Sequence, residues 1–336
     1  MSAATADATQ SATKSATTAA SNRFVASHLA EATALGERLV DLVPDPDALV
    51  VALKHEFAAL ADPLYVDGIR SVTPGLGPVL GVRLPLMEAA HKAFKRGTRR
   101  TSTSLLVDAM DHLLREELRE IRWFGIWNLG RLLPTDPERT WQLLRRAARD
   151  ADEWITVDTL AHPYGEGILR DARRWAELEQ LVYSPSRWER RLVGSTLATM
   201  PHVNVPGGGD RLVVRRGLAL VEQLIGDAEP DVQKALSWAL RTYAKLDPAA
   251  VTAFLEAEAH TARRNHDGNR AWIIRDSLSK LPDDTTAYLR ASLEGIRRGP
   301  GGPSTSRAAE AVAAFAANVP GGALDRPAET LRRTAP

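Results

Sequence analysis

The sequence contains no cysteine, which excludes a disulfide framework, a thiolate zinc site, an iron–sulfur cluster and a cysteine nucleophile. No apolar run approaches the ~20 residues that a membrane-spanning helix requires. The start of the chain shows no charged segment leading into an apolar one, which is the mark of a secretion signal. These absences predict a cytoplasmic protein that does not enter a membrane.

Common motifs for metal and nucleotide chemistry are also missing. The eight histidines form no HExxH motif and no close pair at metal-binding spacing, and the chain has neither GxGxxG nor GxxxxGK[ST]. Ser195 follows a glycine but lies in no GxSxG elbow. We therefore expect neither a metal ion nor an organic cofactor.

Acidic residues outnumber basic ones near the start of the chain and not after it. Residues 1–70 hold five Lys and Arg against nine Asp and Glu, so the remainder carries +5 of a net charge of +1. All eight tryptophans lie in this basic remainder. The combination of cations and indoles is compatible with a surface for a polyanion, although an excess this small is weak support.

The composition divides the chain into three parts. Residues 1–22 are Ala, Ser or Thr at 17 positions and have no apolar periodicity, so we expect a disordered tail. Residues 23–298 show helical periodicity almost throughout, interrupted by short proline stops, and form the predicted folded domain. At two of these stops, Asp136-Pro137 and Asp247-Pro248 predict N-caps with proline in the first helical position. Residues 299–336 begin with Gly-Pro-Gly-Gly-Pro and are predicted to be a linker and tail with one short helix capped by Ser304 or Thr305.

Four segments of the domain are similar to one another, and each ends on a leucine, at positions 129, 197, 240 and 278. The spacings are 68, 43 and 38 residues, and the longest contains a further helix pair. Such a period is near that of HEAT and armadillo helix pairs. The sequence therefore predicts an all-α fold, a HEAT- or armadillo-like helical-repeat solenoid with a concave groove.

A basic stripe with one large aromatic residue follows the predicted helix over residues 233–245. Steps of 3.6 residues place four side chains on one side of it: Lys234, Trp238, Arg241 and Lys245. One interpretation is a partly buried tryptophan covered by solvated Arg and Lys stems. The other is a nucleic-acid surface, with cations on phosphates and the indole against a sugar or base.

The same combination recurs, which favours the nucleic-acid interpretation. Further pairs are Trp188 with Arg191, Trp175 with Arg174, and Trp141 with Arg145. The segment around Lys92 and Arg96 contains five cations and no acid. On successive stacked helices such clusters would merge into one positive groove.

Asp158 interrupts this basic region, four residues after Trp154 and so on the same helical face. A carboxylate would repel a phosphate ligand. One interpretation is therefore structural: Asp158 pairs with an arginine such as Arg191, or it caps a helix. The other is that Asp158 stabilises a positive charge that develops during a reaction.

Three stretches carry a family resemblance: residues 153–161, 188–191 and 232–245. In the third, Gln-Lys-Ala, Trp, Leu-Arg and Tyr-Ala-Lys fall at the family's spacing, and Leu80-Gly81-Val82 with Pro85 resembles its N-terminal turn. In these residues the chain resembles the bacterial AlkD-type alkylpurine DNA glycosylases, the HEAT-like DNA alkylation repair proteins. The likeness covers roughly residues 25–285.

The resemblance implies a monofunctional glycosylase that acts on cationic N-alkylated purines, such as 3-methyladenine or 7-methylguanine, in duplex DNA. It assigns Asp158 as the catalytic carboxylate, with Trp154 and Trp238 beside the lesion, and it aligns Tyr65 with a groove tyrosine. Arg191 and Arg241 match family arginines. With the cations of the basic clusters they form the predicted DNA contacts: Arg191, Arg241, Lys245, Lys234, Lys92 and Arg96.

The expected protein is a monomer associated with the nucleoid. Two other functions stay open. One is a non-catalytic HEAT-repeat protein that binds damaged or branched DNA, and the other is a solenoid that binds proteins and no nucleic acid. Salt-dependent DNA binding and release of a free base would separate the three.

Overall fold

The computed structural model describes residues 3–299 and 301–318. Within them the chain forms α-helices and short 3₁₀ helices and no strand, so the predicted all-α class is confirmed. The α-helices are α1 (Ala3–Arg38), α2 (Pro46–Ala59), α3 (Pro63–Val72), α4 (Leu84–Gly97), α5 (Thr103–Leu114), α6 (Arg119–Gly130), α7 (Pro137–Arg149), α8 (Trp154–Arg170), α9 (Trp175–Leu181), α10 (Arg187–Thr199), α11 (Arg211–Leu224), α12 (Pro230–Tyr243), α13 (Pro248–Asn265), α14 (Gly268–Ser277), α15 (Asp283–Ser292) and α16 (Arg307–Asn318). The 3₁₀ helices are Leu39–Leu42, Thr98–Arg100, Ala172–Arg174, Met200–His202 and Leu278–Lys280.

Asp-Pro pairs begin several of these helices. Asp136 and Asp247 cap α7 and α13, and each side chain accepts a backbone N–H of the first turn while proline occupies the first helical position. Asp45 and Asp62 do the same for α2 and α3. These caps fix where the helices start, and two of them follow directly from the sequence pattern.

The chain divides into two compact units, Met1–Thr159 and Leu160–Pro336, and the boundary falls within α8. In the first unit α1 packs on α4, α2 packs on α5, and both α4 and α5 pack on α6. In the second unit α12 packs between α10 and α14, and α13 packs on α14.

Three of the four repeated segments correspond to every second helix of the second unit, and the one that ends at Leu129 corresponds to α6 of the first unit. The starts of α10, α12 and α14 are 43 and 38 residues apart. The repeated leucines are all buried: Leu129, Leu197, Leu240 and Leu278. Each repeat thus supplies one helix whose leucine enters the core, as helix-pair repeats require.

The structure differs from the sequence prediction near the start of the chain. Residues 3–22, predicted to belong to a disordered tail, form the first part of α1. The prediction weighed the lack of apolar periodicity and not the helix propensity of alanine, which is the highest of all residues. An alanine-rich segment can therefore continue a helix without an apolar face of its own, when a later part of the same helix packs on its neighbours.

The C-terminal segment also differs from the expected linker. Ser304 accepts the backbone N–H of Ala228 at 2.9 Å, and the Thr305 hydroxyl donates to Asp267 at 2.6 Å. The cap of α16 is Ser306, so the predicted caps were wrong. The reason is that tertiary contacts already occupy the Ser304 and Thr305 side chains. Residue 300 and residues 319–336 of this predicted part lie outside the described residues.

Candidate functional site

Two buried polar side chains, Glu153 and Thr156, hold the first turn of α8. The carboxylate of Glu153 accepts the N–H groups of Ile155 at 2.5 Å and of Thr156 at 2.8 Å. Burial raises the pKa of Glu153, and these hydrogen bonds oppose the rise. The indole Nε1 of Trp123, on α6, donates to Thr156 Oγ1 at 2.8 Å. The start of α8 is therefore fixed against α6.

Trp154 and Asp158 lie one turn apart on the opposite side of this helix. Thr156, Val157 and Leu160 are buried, whereas Trp154 and Asp158 are half-buried. Asp158 is in the second turn of α8, beyond the N-cap position, so it does not cap its own helix. The helix presents the indole and the carboxylate together on one partly exposed face, as their spacing predicted.

The Trp154 indole is oriented by the backbone of α3. Its Nε1 donates to the carbonyl oxygen of Val72, the last residue of α3, at 3.4 Å. Because an indole has a single hydrogen-bond donor, this contact sets the direction of the ring. No sequence pattern indicated it, since any residue at position 72 would offer the same carbonyl.

The turn at Gly81 is held by Glu120, which projects from α6 and is buried. Its Oε1 accepts the N–H groups of three successive residues, Leu80 (3.0 Å), Gly81 (2.7 Å) and Val82 (3.4 Å). Gly81 has φ +92°, and a Cβ there would lie 2.5 Å from Val66, so glycine is required. The sequence singled out this turn but not the carboxylate that holds it.

Tyr65 lies beside the same turn in a small polar cluster. The guanidinium of Arg83 lies 5.1 Å from the centre of the Tyr65 ring and pairs with Asp62 at 2.7 Å. Burial is the main cause that raises the pKa of the Tyr65 hydroxyl. Tyr65 is on α3, whose last residue accepts the Trp154 hydrogen bond, so α3 connects the two aromatic residues within the first unit.

Arg191 of the second unit is buried rather than presented to solvent. It is 6% exposed, and its Nη1 donates to the backbone carbonyl of Asp231 at 2.7 Å. This bond ties α10 to the first turn of α12. The contact of Arg191 with DNA stays a prediction, and little of this side chain is accessible to a ligand.

The predicted basic stripe lies on α12 and just beyond it. Lys234 and Lys245 are exposed, Trp238 and Arg241 are half-buried, and Lys245 follows the end of the helix. Nη1 of Arg241 donates at 2.7 Å both to the carbonyl and to the carboxylate of Asp276 on α14. The stripe is therefore partly anchored to the next repeat.

Lys92 and Arg96 lie one turn apart and exposed on α4. Arg96 pairs with Glu37 at 2.9 Å, and Lys92 is 3.9 Å from Glu88. Exposed pairs of this kind contribute about 0–1 kcal/mol. Pairs this weak leave both cations able to bind a phosphate instead, and their contact with DNA stays a prediction.

Two tryptophans counted among the basic aromatic pairs are core residues. Trp141 and Trp175 are 3% and 5% exposed. Their predicted place on a binding surface was wrong, because both indoles pack into the core, and an arginine nearby in sequence does not by itself show that a tryptophan faces solvent.

The predicted site residues form two groups. Asp158 and Trp154, with Lys92 and Arg96, belong to Met1–Thr159, whereas Arg191 and the α12 stripe belong to Leu160–Pro336. Each group lies within its own unit. The predicted convergence of both groups on one groove stays a prediction.

Where side chains are described, no three His, Asp or Glu residues are grouped so that they could hold a metal ion. None of the described helices has both the length and the apolar character needed to cross a bilayer.

The model of a family described as DNA alkylation repair enzyme matches residues 53–281, more than half of the chain. No curated protein matches the sequence.

Proposed function

The chain belongs to the DNA alkylation repair enzyme family, and from this premise we propose that it is a monofunctional DNA glycosylase. In this proposal it hydrolyses the N-glycosidic bond of cationic N-alkylated purines, of the 3-methyladenine and 7-methylguanine type, in duplex DNA. The proposal is supported by Trp154 and Asp158 on one partly exposed face of α8, in a chain that has exposed cations on α4 and α12.

The substrate explains why so few catalytic groups are needed. An alkylated purine ring nitrogen already carries a positive charge, so the C1′–N bond breaks with its electron pair going to a base that departs neutral. No general acid has to protonate the leaving group. The barrier lies in the sugar, which becomes an oxocarbenium-like cation.

Asp158 is the group proposed to stabilise that cation. A fixed carboxylate close to developing positive charge lowers the barrier most where water is excluded. Water then adds its oxygen to C1′, and the proton it loses passes to the Asp158 carboxylate or to solvent. The products are a free base and an abasic site in an intact strand.

The indoles and the cations have separate roles in this proposal. Trp154 presents its ring face to the cationic sugar, and such a contact is worth on the order of 0.5–2 kcal/mol. Trp238 is the second indole that the family resemblance assigns to the lesion. Arg241, Lys234 and Lys245 bind phosphates. This division places the aromatic residues at the reacting nucleotide and the long cations along the backbone.

The direct test is to incubate the full-length protein with methylated duplex DNA and to identify freed bases by chromatography. The proposal predicts free methylated purine and strands that break only after mild alkali. Tight, salt-sensitive binding without any freed base would instead indicate a non-catalytic DNA-binding protein. Absence of DNA binding would indicate a protein-interaction role.

A further inference from the structure

A cavity of about 650 Å³ at the end of the second unit is rich in arginine. Six of its lining residues matter here: Trp272, Arg275, Arg290, Glu294, Arg297 and Arg298. Four guanidinium groups and one carboxylate leave a formal charge of +3. Most of these side chains are exposed or half-buried, so a ligand can reach the cavity from solvent.

Three of the four arginines lie beyond the part of the chain that matches the family model. The match ends at residue 281. Arg290 is in the last turn of α15, and Arg297 and Arg298 follow that helix. The cavity is therefore formed between α14, inside the matched region, and a C-terminal addition outside it.

Part of the wall is held in place by hydrogen bonds to neutral groups. Nη2 of Arg275 donates to the carbonyls of Leu293 and Ile296 at 2.5 and 2.7 Å. Arg298 donates to Gln233 on α12 at 2.6 Å, and its guanidinium lies 5.6 Å from the Trp272 ring centre. These contacts orient two cations and the indole without neutralising any charge.

The other two cations of the lining are Arg290 and Arg297, and both are exposed. Among the ion pairs of the described residues, none joins the four cavity arginines to a carboxylate. Other arginines of this unit do have such a partner: Arg187, Arg190, Arg216, Arg241 and Arg307. Burial, and next the charge of Arg297, lower the pKa of Arg275. An anion bound here would relieve this repulsion.

We propose that this cavity binds a phosphodiester group of a DNA strand, as an extension of the α12 surface; the inference rests on the proposed function. Asp276, the partner of Arg241, is four residues after Trp272 and so on the same face of α14. One face of α14 thus carries both the residue that anchors the α12 stripe, Asp276, and a residue that lines the cavity, Trp272. A phosphate contacts the guanidinium fork in bidentate fashion, and the Trp272 ring packs on the attached sugar or base.

The test compares two double variants of the full-length protein. Arg290→Ala/Arg297→Ala removes the two cavity cations that take no part in the wall hydrogen bonds described above, and it leaves Arg275 and Arg298 to hold the wall. Arg263→Ala/Arg264→Ala is the matched control, because both residues are exposed in the last turn of α13 and neither lines the cavity. Affinity for an undamaged duplex is measured over a series of salt concentrations, and thermal unfolding checks that both variants fold.

The proposal predicts that the cavity variant binds several-fold more weakly and that its affinity depends less steeply on salt. The slope of log affinity against log salt should fall by about 0.9 for each lost phosphate contact. Equal affinity and slope in the two double variants would overturn the proposal.

A second arm separates DNA from a free phosphate. Inorganic phosphate is titrated into the wild-type protein and the cavity variant, with thermal stability as the readout. Stabilisation of the wild type by phosphate, together with unchanged DNA binding by the cavity variant, would overturn the DNA assignment in favour of a free anion. Because both arms use undamaged DNA or phosphate, they stay informative if no base is released from methylated DNA.

Discussion

A carboxylate such as Asp158 weakens the binding of a polyanion to any site that contains it. The carboxylate repels the phosphates that nearby cations attract, and the repulsion grows as water is excluded. The repulsion is offset if positive charge develops next to the carboxylate during the reaction. An alkylated purine leaving a sugar creates such a charge, whereas simple binding of DNA does not.

The contribution of the Trp154 ring can be measured separately from its hydrogen bond. Trp154→Ala removes both the ring face and the donor to Val72, and we expect base release to slow by about two- to thirty-fold, the equivalent of ~0.5–2 kcal/mol. Trp154→Phe keeps a ring face and should lie between wild type and alanine. Single-turnover rates on methylated duplex give the comparison, and equal rates for all three proteins would rule out the role.

His91 should make the folded protein sensitive to acid. It contacts Phe124 and Trp127, and its Nε2 has no hydrogen-bond partner. Burial, followed by the charges of neighbouring cations, lowers its pKa from 6.5 to about 4. Above pH 6.5 the ring is neutral in both the folded and the unfolded chain. As the pH falls toward 4, His91 binds a proton in the unfolded chain but not in the folded protein.

The stability associated with His91 is therefore present above pH 6.5 and lost as the pH falls toward 4, by about 3 kcal/mol in total. We expect His91→Phe to lose less unfolding free energy than wild type between these pH values. The exposed His260→Gln is the control. Urea unfolding at both pH values is the measurement, and an undiminished loss in His91→Phe would contradict the assignment.

The sequence indicated candidate site residues where residue type and spacing mark them. It did not indicate contacts in which one partner is a backbone group. The pairing of Trp154 with Asp158 follows from a spacing of four. The acceptor for the Trp154 indole is the carbonyl of Val72, and no residue type marks it. Glu120 was missed for a related reason, since its three partners are backbone N–H groups 38 to 40 residues away.

At the scale of elements, Glu120 connects α6 to the turn that precedes α4. Glu120→Ala would leave three N–H groups without their acceptor, and we expect a loss on the order of 3 kcal/mol in the free energy of unfolding. Glu120→Gln keeps one carbonyl acceptor and should lose less. Denaturant unfolding measures both, together with faster hydrogen exchange at residues 80–82.

The matched control for this prediction is Glu117→Ala. Glu117 precedes α6, is exposed and has no hydrogen bond among those described. Its substitution should change stability by less than ~0.5 kcal/mol. If Glu120→Ala were no more destabilising than this control, the turn would not depend on the carboxylate.

The start of a helix can be predicted from sequence where its capping residue bonds only to the first turn of that helix. Asp136 and Asp247 cap the helices that their Asp-Pro pairs predicted. Ser304 and Thr305 were wrongly predicted as caps, because their hydroxyls bond to residues far away in sequence. A local pattern cannot report a competing tertiary partner.

At the scale of the whole molecule, the helix-pair repeat was visible in four leucines and their spacing. The division at residue 159 was not, because it falls inside α8, a single helix that continues on both sides of the boundary. The packing of residues 301–318 was also unexpected. The glycine-rich stretch from residue 299 resembles a linker, and the anchoring of the residues after it depends on partners in α11 to α14.

The exposed cations of the α12 stripe should determine the salt dependence of DNA binding. Removal of two phosphate contacts by Lys234→Ala/Lys245→Ala should lower the slope of log affinity against log salt by about 1.8. Arg264→Ala, on the exposed end of α13, should leave the slope unchanged. Fluorescence anisotropy with an undamaged duplex gives both values. A slope that is equal in all the proteins would exclude the stripe from the interface.

The central claim is that the Asp158 carboxylate stabilises the sugar cation, and Asp158→Asn tests it most directly. The amide keeps the shape and removes the charge, so binding to methylated duplex should stay the same or tighten. Single-turnover base release at saturating protein should fall on the order of 100- to 1000-fold. The exposed Asp47→Asn on α2 is the control and should keep the wild-type rate. Base release by Asp158→Asn at the rate of that control would contradict the account.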